Sequence, residues 1–281
     1  LPASIVQSGD FLEDKSTNSV PLTYGNMPAP ATPTYEDDMS TASNFSFQSP
    51  MAHDSGTGEL DWSIVRDGSS DYAHWDLGTA VSNDKWVLRF DVRVDDKIYG
   101  GGSNAIAFFG LASTTGSSHS AHDFIGFYKG VNDFEGVLNK DNSNLSVDGG
   151  IYVSGTTTPV IHSSGWKYYE VIRESSTSVT WNIYNNDDFT DLFATSTYAV
   201  SSGIQGLQYF KITNFASGSG TSTYTGGIDN IKIYDGITSV SGVSPPANTK
   251  LLGLNDVTFN VGSTTASVDA VSSNTITPTS G

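Results

Sequence analysis

Apolar and polar residues alternate with a period of two along most of the chain's middle. The clearest run is 85–95, where Trp86, Leu88, Phe90, Val92 and Val94 share one side of an extended backbone and Arg89, Asp91, Arg93 and Asp95 share the other. Successive side chains of a strand point to opposite faces, so this run predicts one face in a core and one in water. The same reasoning predicts strands at 60–66, 72–77, 105–111, 124–129, 134–139, 166–174, 178–184, 207–215 and 228–234, separated by clusters of Gly, Asn, Asp and Ser. No stretch of ten or more residues carries the 3.6-residue period of an amphipathic helix. Short strands with turn signals between them and no fixed repeat predict an all-β fold. The form expected is a two-sheet antiparallel jelly-roll sandwich rather than a propeller or solenoid.

The sandwich is expected over 36–236, with different material on either side. Residues 1–35 read as a Pro-rich arm or linker, because Pro21, Pro28, Pro30 and Pro33 remove donors while few apolar residues are present to pack. Residues 237–281 form a Ser- and Thr-rich tail broken by Pro245 and Pro246, with short strands possible at 254–261 and 265–271. Val257, Phe259 and Val261 alternate with Thr258 and Asn260, an apolar face too short to make a core of its own. Such a donor strand could add to a sheet edge, here or in a neighbouring copy of the chain within a surface or virion assembly. A disordered tail is the alternative on composition alone.

Charge and composition narrow the partners. The 281 residues carry 30 acidic against 13 basic side chains, a formal charge of -17 that repels nucleic acid and acidic membranes. Of the acids 24 are Asp and 6 are Glu, a mixture suited to turns and oxygen-ligand cation sites and poor for helices. Cysteine is absent, which removes disulfides and thiolate chemistry, and no run approaches the ~18–20 apolar residues that span a bilayer. The chain opens at Leu1, as if an upstream segment had been removed, and an extracellular or surface location is expected.

The opening run Tyr35-Glu36-Asp37-Asp38-Met39-Ser40-Thr41 and the closing run Gly227-Ile228-Asp229-Asn230-Ile231-Lys232-Ile233-Tyr234 resemble those of concanavalin-like or laminin-G-like jelly rolls. Trp86 to Phe90, Ile106 to Leu111 and Trp166 to Val171 agree, so the resemblance covers about 36–236. It implies a fold together with glycan binding, adhesion or virion attachment, but fold does not select among them.

Several groups could carry chemistry. Strand alternation puts Asp229 in phase with Ile231 and Ile233, on the expected buried face, where a lone carboxylate is costly. A structural Ca2+ shared with Glu36, Asp37 or Asp38 would resolve this, and the resemblance implies one at a comparable place. Capping of a turn by Asp229 without metal is the other solution. Asn185-Asn186-Asp187-Asp188, with Asp191 behind, reads as a solvated turn. His119 and His122-Asp123 read as an exposed loop rather than a zinc site. Glucanases of the resembled fold carry a Glu-x-Asp-x-x-Glu run that is missing here, and Asp133 with Glu135 is the nearest substitute. The expected function is therefore a non-enzymatic module for assembly or adhesion, with glycan binding as its possible ligand activity. A glycoside hydrolase or lyase on the same fold is the alternative. Sugar contacts are expected from aromatic faces beside amides, with Trp75, Tyr128, Asn132 and Asn139 as candidates and Tyr72, Tyr152 and Tyr184 as further aromatics.

Overall fold

The computed structural model describes residues 5–8, 11–14, 21–23, 31–47, 51–65, 72–98, 107–115, 123–129, 134–140, 143–146, 151–153, 165–200, 203–214, 223–240, 257–261, 264–268 and 276–280. Their regular structure is all strand. The chain divides into two compact units, one of residues 32–240 and one of residues 1–31 with 241–281.

Residues 32–240 form a jelly-roll sandwich of two antiparallel sheets. The seven-stranded sheet runs in the order β13 (Ser143–Ser146), β12 (Phe134–Lys140), β11 (Phe124–Lys129), β10 (Ala107–Ala112), β18 (Tyr209–Asn214), β8 (Tyr72–Asp76) and β5 (Phe45–Phe47). The nine-stranded sheet runs β14 (Tyr152–Val153), β17 (Leu192–Ala199), β16 (Ser178–Tyr184), β15 (Gly165–Ser175), β9 (Trp86–Ile98), β19 (Thr223–Asp235), β7 (Glu59–Val65) and β6 (Ala52–Asp54), with β4 (Tyr35–Asp37) also paired to β19. All ten strands expected from alternation are present. Strand β17 escaped the sequence reading because Ala194, Thr195, Ser196 and Thr197 give no clear apolar phase; its backbone pairing with β16 defines it instead.

The core lies between the sheets. Trp86, Leu88, Phe90 and Val92 of β9 are wholly buried, as their phase requires. Phe90 meets Phe127 and Phe210 of the facing sheet at centroid distances of 5.9 and 5.5 Å, and Trp62 meets Phe109 at 5.3 Å. Trp181 Nε1 crosses the core to donate to the Gly126 carbonyl at 2.7 Å. Each such aromatic contributes roughly 1.5–3 kcal/mol by burial, and the geometry of the pairs adds to it. Trp75 belongs to this core. It is 7% exposed and packs near Phe45 and Tyr35 at 6.2 and 6.4 Å, which corrects its expected place among ligand contacts. On β8 it shares the inward phase of Ala73, so the sheet fixes its direction.

The other unit holds two three-stranded antiparallel sheets. One comprises β1 (Ile5–Ser8), β2 (Phe11–Asp14) and β3 (Pro21–Thr23), within the stretch expected to be an arm. Pro21 is tolerated there because it stands first in its strand. The other comprises β20 (Val257–Val261), β21 (Thr264–Val268) and β22 (Ile276–Ser280). Val257, Phe259 and Val261 lie in β20, which pairs with β21 of the same chain.

Candidate functional site

The metal set expected at the start of the sandwich is satisfied by other means. Asp37 is buried in β4, where its Oδ1 accepts from Met39 N at 2.8 Å and its Oδ2 from Asn44 Nδ2 at 2.9 Å. Asp38 Oδ1 accepts from Ser40 N at 3.0 Å, and Glu36 pairs with Lys232 at 3.2 Å. These residues, with Thr41 and Asn44, line an open pocket of about 400 Å³.

The inward phase expected of Asp229 is overturned by a β-bulge. The β19–β9 register runs Asp229 opposite Asp91 and then Lys232 opposite Arg89, so β19 carries one extra residue. Asn230, at φ 51°, absorbs the turn, and an Asn tolerates that left-handed conformation better than most residues. Ile228 and Ile231 both stay in the core while Asp229 is half-buried on the outer side. Its Oδ1 accepts from Asn230 N at 2.7 Å and its Oδ2 from Asn230 Nδ2 at 3.2 Å, while that amide also donates to Asp91 Oδ2 at 2.9 Å. Burial pushes Asp229 up, and the charges of Asp38 and Asp37 push the same way. Burial also pushes Asp91 up to about 7, against the Asn230 hydrogen bond. Among the described residues no group of three or more acidic or imidazole side chains comes together in a way that could hold a metal ion.

The outer face of the nine-stranded sheet is polar and internally paired. Glu170 accepts from Arg89 Nε at 2.8 Å, Asn182 Nδ2 at 2.9 Å and the Tyr184 hydroxyl at 3.0 Å. Arg93 bridges Glu59 and Asp95. The Asn185–Asp191 turn is closed by its own bonds, among them Asn185 Nδ2 to Asp191 Oδ2 at 3.0 Å and Asp191 N to Asn186 Oδ1 at 2.9 Å.

The outer face of the seven-stranded sheet gathers groups of a different kind. Strand registers align three rows across β8, β18, β10, β11 and β12: Tyr72, Thr213, Phe108, Tyr128 and Glu135; His74, Lys211, Gly110, Gly126 and Val137; Asp76, Tyr209, Ala112, Phe124 and Asn139. The alternate residues of the same strands, such as Phe210, Ile212, Phe109 and Phe127, fill the core. Register therefore brings Tyr128 and Asn139 to one face. Asn132, with Asp133, His119 and His122, lies outside the described residues. At the β8 end of this face Tyr72, His74 and Tyr209 are half-buried. Tyr72 and His74 stack at 6.0 Å with 20° between planes, and Tyr209 meets His74 edge-on at 6.1 Å. Beside them the exposed Asp76 accepts through Oδ1 from Gln208 Nε2 at 2.9 Å and Gly78 N at 2.8 Å, and the Gln208 bond above all holds its carboxyl below the usual range. Under this patch Lys211 is buried, which pushes its amine down to about 7. His74 is pushed down by burial and then by Lys211. Neither residue was singled out in the sequence. The signal available was the phase of Lys211 with Tyr209 and Thr213, but alternation alone reads that as a wet lysine.

What this patch offers is aromatic surface beside a carboxylate, an amide and an imidazole, the combination that a pyranose with an apolar face and a polar rim requires.

No protein-family model matches the chain, and no curated protein matches its sequence. Solved structures similar to it include the VIP36 exoplasmic/lumenal domain in its Ca2+/Man3GlcNAc-bound form, at 10% identity and TM-score 0.44, over 71% of this chain and 86% of that one. The Emp47p carbohydrate recognition domain is similar at 12% identity and TM-score 0.44, over 76% and 100%. A structure from work on endo-acting O-glycanases of the human gut microbiota is similar at 7% identity and TM-score 0.46, over 72% and 99%. At these identities and TM-scores they bear on no statement about activity.

Proposed function

We propose that the chain is an exported, non-catalytic carbohydrate-binding module whose ligand seat is the outer face of the seven-stranded sheet around β8. The observation that carries this is the Tyr72–His74–Tyr209 cluster set beside Asp76 and Gln208. The rings supply apolar planes for sugar C–H groups, and the carboxylate and amide supply acceptors and donors for hydroxyls at their rim. Tyr128 and Asn139 hold register positions farther along the same rows. A glycosidase would require two carboxyl groups about 5–9.5 Å apart. Among the described side chains of this face the carboxyl group is Asp76, already engaged by Gln208 and Gly78. The terminal strands belong to the same reading as assembly elements, with the β20 edge (Val257, Phe259, Val261) pairing between copies at a cell or virion surface.

Isothermal titration against a panel of oligosaccharides tests the seat. A binding sugar should lose about tenfold or more in affinity in Tyr209→Ala and Tyr72→Ala, with the fold intact by circular dichroism. Unchanged affinity in both variants would move the site elsewhere. Reducing-end detection on the same panel should show no release of sugar.

A further inference from the structure

The segment that leads into β18 is gripped by two buried, oppositely charged side chains at a single peptide group. We infer that Arg173 and Asp123 are positioning residues for the proposed seat, fixing segment 203–208 and with it Gln208 and Tyr209, an inference that rests on the binding reading above. Arg173 Nη2 donates to the Ile204 carbonyl at 2.9 Å, and Gln205 N donates to Asp123 Oδ2 at 2.7 Å. That carbonyl and that amide belong to the same peptide group. In a trans peptide the C=O and N–H point opposite ways, so the cation meets the negative end of the group's dipole and the carboxylate meets the positive end. Hydrogen bonds with one ionised partner are the stronger kind.

Arg173 stands where an apolar residue would be expected. On β15 it shares the inward phase of Tyr169 and Val171, opposite Trp86 of β9, and it is 1% exposed. Among the described residues its Nε and Nη1 find no hydrogen-bond partner, so the Ile204 carbonyl is the acceptor that its guanidinium holds. Burial pushes the guanidinium down, while Asp84 and Asp123 push it back up. The desolvation penalty of such a charge can exceed what it regains, so stability alone is a poor reason for an arginine here. What Arg173 does accomplish is to reach from the nine-stranded sheet to the segment that feeds the seven-stranded one. Asp123, buried just ahead of β11, makes the matching contact from that second sheet. Its own main chain is anchored, with Ser113 N donating to the Asp123 carbonyl at 2.9 Å and Asp123 N to Ser113 Oγ at 3.2 Å.

Segment 203–208 needs such anchors because it is not a strand, and its backbone groups have no ladder to join. Farther along it, Gly206 N donates to Asn83 Oδ1 at 3.2 Å, and Val81 N and Leu77 N donate to the Leu207 and Gln208 carbonyls at 2.9 and 3.0 Å. Gln208 N in turn donates to the Ala112 carbonyl at 2.9 Å. At its end, Gln208 Nε2 reaches Asp76 Oδ1 at 2.9 Å, and Tyr209 stands opposite Asp76 in register. A shift of the Ile204–Gln205 peptide therefore moves the amide and one ring of the seat together.

Hydrogen exchange of the full chain, resolved to single amides by NMR, tests the clamp without a ligand. In Arg173→Met the Gln205 and Gln208 amides should exchange about tenfold faster or more, while those of β16 keep their wild-type rates. Calorimetric titration with cellohexaose, mannohexaose and xylohexaose as probes tests what the clamp does for the seat. A probe that binds the wild type should lose about tenfold in affinity in Arg173→Met. Arg173→Lys keeps a cation able to reach the carbonyl and should recover most of both changes. Asp123→Asn keeps an acceptor oxygen and removes the charge, and it should move both readouts the same way. Combined with Arg173→Met it should add less than its separate effect, because the two side chains act on one peptide. If Arg173→Met does not fold, Arg173→Gln and Asp123→Asn decide by the same readouts. Exchange that rises equally in β16, or stays unchanged at Gln205, would overturn the inference, as would unchanged affinity in a variant whose segment has loosened. Loosening in Arg173→Met when the wild type binds none of the probes would uphold the clamp and overturn the binding reading.

Discussion

Asp91 was expected on a wet face and is instead 7% exposed there, opposite Asp229 and clamped by Asn230. Its carboxyl rises to about 7 from an ordinary value of 3.8, so the folded state holds the proton more tightly than the unfolded chain does. The resulting stability is fully present below about pH 4, declines as pH rises, and is lost once pH passes about 7. The amount is on the order of 4 kcal/mol at most. Urea denaturation between about pH 4.5 and 8 should show falling stability in the wild type and a flatter profile in Asp91→Asn, with the variant ahead at the alkaline end. Parallel profiles would mean that Asp91 is not the source. Asp229 and the acids of 36–38 have their oxygens engaged by backbone, amide and lysine donors. The melting temperature is therefore expected to move by less than about 2 °C on adding EDTA or in Asp229→Asn. A larger fall in EDTA that Ca2+ reverses would reveal a cation site that the described residues do not form. Trp75→Ala, in contrast, should cost about 3–5 kcal/mol as a core deletion.

At the scale of elements, two local devices shape the sheets. The bulge at Asn230 reverses the side-chain phase of β19 between Ile228 and Ile231, keeping both isoleucines inside while Asp229 and Asn230 turn out. On the other sheet Gly110 and Gly126 are cross-strand partners that let β10 and β11 approach closely. A Cβ on Gly126 would come within 2.1 Å of the Phe109 carbonyl oxygen and 2.7 Å of Gly110 Cα, both backbone atoms. Because neither can swing aside, Gly126→Ala should cost about 1–3 kcal/mol or more by overpacking, measured as a drop in urea midpoint. Wild-type stability in that variant would show that the strands have slack there. The pair also leaves the centre of the outer face without side-chain bulk beside Lys211, next to the proposed seat.

At the scale of the molecule, the hydrophobic core formed by the described residues lies in the sandwich of 32–240. A fragment limited to 32–240 is expected to fold alone, with a melting temperature within about 4 °C of the full chain's sandwich transition and an unchanged seat for sugar. Failure of that fragment to fold would make the terminal sheets part of the sandwich's stability. Removing 241–281 alone should leave the sandwich folded and reduce any self-association seen by light scattering, since the edges of the β20–β22 sheet would be gone. Association that persists without β20 would remove Val257, Phe259 and Val261 from the assembly reading.

The sequence by itself determined ten strands of the sandwich and, where no bulge intervenes, which residues of each share a face, because a period of two is a local property of extended backbone. That was enough for an all-β sandwich, for Trp86 to Val94 as core, and for Tyr72 and Tyr128 as alternate to the core residues of their strands. It misjudged Trp75, whose phase follows the sheet rather than the nearby turn, and Asp229, where one inserted residue shifts the phase in a way composition does not announce. The terminal sheet β1–β3 was hidden by its prolines, which alternation counts as breaks although Pro21 sits harmlessly at a strand start. Only the tertiary structure could pair His74 with Lys211 or Asp91 with Asp229, since register joins strands far apart along the chain. Their chemistry arises from that pairing: burial and a neighbouring charge set protonation, and neither exists until the sheets close.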